Sequence, residues 1–157
     1  MVLRAGMPTV VAVAALLSAL AGAALPLPAR AQEQATVHIF FSAGCADCWP
    51  YVEHELMPAL HDGGLDAQPE IHDYTIPAER ARLLQMADDI DLPRSIADSL
   101  YAFVPVRGGT LLVLGHVPAA IIGQALTAPE LPGRLVLWQP QMHGEPTEYR
   151  LWAWRGR

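Results

Sequence analysis

Lysine is absent from this 157-residue chain, and cysteine occurs only twice. All ten strongly basic side chains are arginines, set against sixteen acids. A chain with this balance offers no basic patch to follow a phosphate backbone or an anionic lipid surface, which argues against nucleic acid and charged membranes as partners. The missing lysines fit genomic base composition and need no functional cause. Internal repeats and low-complexity runs are also lacking. After the first thirty residues no apolar stretch resembles a membrane span.

The amino terminus has the build of an export signal. Arg4 supplies a short positive region, Val10 to Leu20 an apolar one, and Pro26 and Pro28 break any helix. Ala29-Arg30-Ala31 then presents small residues at the two positions that a signal peptidase reads. Cleavage after Ala31 predicts residues 1–31 as a signal peptide and a mature chain of residues 32–157, the size of one domain with one core. Eight arginines and sixteen acids give that part a formal charge of −8. The competing reading is an uncleaved anchor, since Thr9 to Leu27 is about long enough to span a bilayer. Cleavage predicts a periplasmic or secreted protein with no membrane attachment.

Both cysteines fall in Cys45-Ala46-Asp47-Cys48, directly after the apolar run Val37-His38-Ile39-Phe40-Phe41. Thiols two residues apart close into a small ring and reopen readily, and a helix N-terminus favours the thiolate form of the first sulfur. Asp47 opposes that effect by like-charge repulsion. Three uses fit the pair: thiol–disulfide exchange, metal ligation, or a structural staple. The staple fits worst, because a disulfide stabilises by closing a long loop, and this one encloses two residues.

The remaining chain alternates strands and helices. Val37–Phe41 predicts a central strand covered on both faces. Asp47–Leu60 predicts a helix that tolerates Pro50 early and bends at Pro58. Glu70–Ile76 predicts a second strand. Pro77 opens a helix with Ala81, Leu84 and Ala87 on its apolar face, and Arg94–Ala102 predicts another turn or two of helix. Phe103–Val106 and Thr110–Leu114 flank Arg107-Gly108-Gly109 as a hairpin. Pro118 starts a helix through Leu126. Leu135–Trp138 and Tyr149–Trp154 predict two strands joined by a polar loop, with Trp138, Trp152 and Trp154 either closing the core edge or docking a partner.

The resulting order, β-(CxxC)α-β-α-β-β-α, resembles the thioredoxin superfamily over residues 37–126, roughly the whole core. The resemblance implies an α/β, three-layer fold with a mixed central sheet, to which residues 127–157 add a C-terminal β-hairpin. It implies a cis-proline beside the cysteine pair, at Val104-Pro105, and a catalytic set of Cys45, Cys48 and Pro105. Val106 stands where thioredoxins usually carry a small polar residue, and Ala46-Asp47 replaces their usual Gly-Pro. A nearer likeness lies in Gly115-His116-Val117-Pro118. It is similar to a segment of small secreted bacterial proteins labelled predicted metal-binding and tied to copper handling. Members of that family usually carry three clustered cysteines and more methionines.

These features define the expected function. Cys45 attacks and Cys48 resolves in a thiol–disulfide oxidoreductase that acts on protein thiols or disulfides, with a redox partner protein and no cofactor. The alternative is a copper-binding or copper-delivery protein holding Cu(I) through Cys45, Cys48, His116 and Met142. A third reading is a non-catalytic interaction module. His54 and His61, two turns apart on one helix, read as solvated, and Met142-His143 alone is a weak ligand pair.

Overall fold

In the computed structural model of the chain, the residues described are 34–129, 133–140 and 150–154, all within the compact unit Gln32–Arg157. The signal-peptide assignment, Met142 and His143 therefore lie outside the described residues.

Among those residues six strands form one mixed sheet in the order β2-β1-β3-β4-β5-β6. β1 (Ala35–Phe41) runs parallel to β2 (Ala67–Asp73) and antiparallel to β3 (Leu100–Val106). β4 (Gly109–Leu114) returns from β3 through the expected hairpin. β5 (Arg134–Trp138) joins β4 in parallel and pairs antiparallel with β6 (Arg150–Trp154), the C-terminal hairpin the sequence predicts. The fold is a mixed α/β arrangement in three layers, because the strand alternation feeds two separate cores. Val37, Ile39 and Val104 pack with Cys48, Leu56 and Ile122 on one face. Phe40, Phe103 and Leu112 pack with Leu83 and Ile90 on the other. β1 is thus central and covered on both faces, as its continuous apolar run requires.

The helix after the cysteines is longer and less regular than expected. It starts as α1 (Cys48–Tyr51), widens into a π-helical segment over Val52–Leu56, and continues as α2 (Met57–Asp62). Proline at position 58 lacks the N–H for an i−4 bond, and its ring would press on the carbonyl four residues back. A π turn immediately before it, with the Met57 N–H bonded to the Val52 carbonyl, lets the helix continue past the obstacle.

Three expectations are corrected. β2 ends at Asp73, earlier than predicted, because the Asp73 carboxylate accepts from the Thr75 N–H (2.9 Å) and hydroxyl (2.7 Å) and turns the chain into Pro77. In α3 (Pro77–Asp89) the buried face runs through Leu83, while Leu84 is exposed. Ile90 and Leu92 beyond the helix join Leu83 in its core and set that phase. Arg94–Ala102 forms no helix. Pairing with β1 claims its last three residues, Leu100–Ala102, and Asp98 anchors the approach by accepting from the Ser99 N–H and the Trp138 indole. Trp138, half-buried and so tied, belongs to the closure of the core edge. α4 (Ala119–Leu126) follows Pro118 and completes the cysteine face.

Candidate functional site

Cys45 and Cys48 are joined as a disulfide, with their Cα atoms 5.5 Å apart. Strand β1 delivers them: Phe41 ends the strand, and the Cys45 N–H bonds the Ser42 carbonyl at 2.8 Å to form the turn. Cys48 is the first residue of α1 and is fully buried, whereas Cys45 is partly exposed before the helix. The exposed sulfur is therefore the first of the pair and the sheltered sulfur the second.

His116 joins them. One ligand atom from each of Cys45, Cys48 and His116 lies within 4.8 Å of the others, although 68 residues of sequence separate His116 from the nearer cysteine. The placement is built from the Gly115-His116-Val117-Pro118 segment. Gly115 has φ +72°, and a Cβ there would stand 2.6 Å from the Gln139 carbonyl, so only glycine lets the chain leave β4 at this angle. The imidazole of His116 then stacks on Tyr51, ring centroids 4.6 Å apart and planes 14° from parallel. Tyr51 in turn donates its buried hydroxyl to the Val117 carbonyl at 2.7 Å. Burial pushes the Tyr51 phenol far above its ordinary range, with the charge of Glu55 adding to the rise, so it remains a neutral donor.

Pro105 does not belong to this site. No peptide bond is cis among the described residues, and Pro105 is exposed within β3, paired with Thr110. The expectation set it inside a strand from Phe103 to Val106, and β3 does contain it, beginning three residues earlier at Leu100. Alternation then turns Pro105 with Phe103 towards the α3 face, away from Val104 and Cys48. Its missing N–H removes no rung from the β1 ladder, which stops at Phe103.

His54 and His61 are both exposed, as their solvated reading predicts. Two residues near the pair escaped the sequence reading. Trp49, directly after Cys48, is 45 % exposed and offers an apolar surface beside the disulfide. Tyr51, three residues after Cys48, holds the His116 loop. The aromatic pattern Cys-Trp-Pro-Tyr was visible, but its meaning depends on which ring turns inward.

The chain is thus a mixed α/β protein with a disulfide-bonded CxxC pair and a histidine brought beside it by the fold. No known family profile matches the chain, and no curated protein matches it. Among solved structures it is similar to one titled copper resistance protein copG, form 2, at 17 % identity and a TM-score of 0.45. The likeness covers 76 % of this chain and 87 % of that one. Among the described residues no helix is long and apolar enough to cross a membrane.

Proposed function

We propose that this chain is a thioredoxin-like thiol–disulfide oxidoreductase of the periplasm or extracellular space. The observation that carries the reading is the disulfide itself: it closes over two residues at a helix start, with its first sulfur accessible and its second buried. In the reducing direction the Cys45 thiolate attacks a substrate disulfide, forms a mixed disulfide and releases one substrate thiolate. The Cys48 thiolate then attacks Cys45 sulfur, releases the second substrate thiolate and regenerates the Cys45–Cys48 bond. Two electrons pass from the pair to the substrate, and the reverse sequence oxidises a substrate dithiol. Trp49 supplies apolar contact for a protein substrate, and the His116 imidazole stands where its protonated form stabilises a thiolate. Strand order β2-β1-β3-β4 with the pair between β1 and the first helix supports the superfamily reading.

The test is capture. Cys48→Ser should hold substrates on Cys45 as mixed disulfides recovered from host extracts. If the variant captures none while the parent exchanges normally, the attacking order is wrong.

A second reading is favoured by the convergence of two sulfurs and an imidazole within 4.8 Å. Here the reduced pair and His116 carry Cu(I) as cargo for delivery to another protein. Cys45→Ser and His116→Ala should then each weaken Cu(I) binding by roughly one to two orders of magnitude in competition with a chelator. A parent protein that loses Cu(I) to a weak chelator removes this reading.

A further inference from the structure

We propose a second metal site, distinct from the cysteines, in which His38, His72 and Glu70 bind a borderline divalent cation such as Zn2+. It lies on the opposite sheet face. His38 and Glu70 are register partners on the parallel strands β1 and β2, and His72 follows Glu70 by two residues, so all three project to the α3 side.

Their donor atoms converge. His38 Nδ1 is 3.3 Å from His72 Nε2 and 3.3 Å from Glu70 Oε2, and His72 Nε2 is 3.5 Å from Glu70 Oε1. A tetrahedral ion with bonds of about 2.0–2.1 Å separates its ligands by about 3.3–3.4 Å, close to the distance between the two ring nitrogens and from each of them to its nearer Glu70 oxygen. The nitrogens and oxygens suit Zn2+ or Cu2+, where the thiolates of the other face suit softer ions.

The surroundings are those of a supported ligand. His72 is 4 % exposed and stacked on Phe40 at 4.4 Å, which fixes its ring plane. Its Nδ1 lies 2.8 Å from Glu79 Oε2 on α3. A carboxylate there calls for a proton on Nδ1, and the neutral ring that meets this demand presents its Nε2 lone pair towards His38. His38 Nδ1 also has the Arg82 guanidinium at 3.3 Å, in addition to His72 and Glu70. A neutral ring nitrogen offers one proton or one lone pair and satisfies one of these three neighbours. A cation at the centre resolves the conflict: it takes both lone pairs and the carboxylate, and displaces Arg82, which is bonded to Glu70 at 3.0 Å and exposed enough to swing away.

The experiment uses the full chain with its disulfide intact, so that the cysteines cannot bind. Zn2+ is titrated in competition with a chromophoric chelator. The proposal predicts one tight equivalent. His38→Gln should weaken it by at least about tenfold and Glu79→Gln by roughly tenfold. Arg82→Ala, which removes a competing cation, should strengthen it by about two- to fivefold. Side chains at the three positions are 24 %, 31 % and 42 % exposed, and circular dichroism checks that each variant folds. His54→Gln and His61→Gln should change nothing. Absence of binding by the parent overturns the proposal. So does an affinity indifferent to His38→Gln and Glu79→Gln, which would place the ion elsewhere.

Discussion

The two faces of the sheet hold their reactive side chains by different means. On the face covered by α1, α2 and α4, position comes from packing: Cys48 is fully buried, Tyr51 is locked to the Val117 carbonyl, and Gly115 fits where no Cβ could. On the α3 face, Glu79 steers His72, and Arg82 bridges Glu70 and His38, with all but His72 partly exposed. Packing resists changes of volume and ignores salt, whereas a charge-held cluster tolerates reshaping and weakens as ionic strength rises. Sulfur exchange needs a fixed partner sulfur on a dry side. A cation site needs donors that yield by a few tenths of an ångström.

The largest expected effect separates the faces outright. Replacing both cysteines, Cys45→Ser with Cys48→Ser, should reduce disulfide exchange to background in an insulin-reduction assay while leaving Zn2+ affinity unchanged. A joint loss would show that the two clusters are one site. Next comes Gly115→Ala, which forces a left-handed conformation on alanine and drives its Cβ into Gln139. It should cost about 1–3 kcal/mol of stability in urea titrations, and a shift near zero would show that the turn relaxes freely.

Tyr51→Phe should cost about 1–2 kcal/mol, because it leaves the buried Val117 carbonyl without its donor. That loss should be the same at low and high salt. Arg82→Ala should have the smallest effect, below about 1 kcal/mol for an exposed pair, shrinking further in about 1 M salt. If Arg82→Ala costs more than Tyr51→Phe, or if its cost is insensitive to salt, the division between packing and charge is wrong.

Local signals carried most of the architecture. The apolar run of β1, the glycines of the β3–β4 hairpin and the cysteine spacing each act within a few residues, and each predicts its element. Arg94–Ala102 misled because its helical pattern lost to strand pairing with β1, an interaction across 60 residues. Pro105 misled for a related reason: its role depended on which face of the sheet it occupies, and alternation along β3 sets it with Phe103 on the α3 face, opposite Val104 and Cys48. Gly115-His116-Val117-Pro118 stood out as a segment, but its neighbourhood with the cysteines arises only once the chain leaving β4 packs against α1 through Tyr51. The His38–Glu70–His72 cluster was hidden for the same cause. Glu70-Ile71-His72 has the period of a strand, and nothing short of the β1–β2 register shows that His38 lies opposite Glu70.

The bond from Tyr51 to Val117 ties together two segments 66 residues apart, one of which carries Cys48. Folding has therefore already met the entropy of bringing that sulfur to its place. When the ring opens, Cys48 faces Cys45 at an effective concentration set by the fold and not by diffusion of a loose chain. Under the proposed redox reading, a mixed disulfide on Cys45 would have a rival that never leaves, so internal resolution would govern its lifetime and a substrate would have to exchange quickly or be expelled.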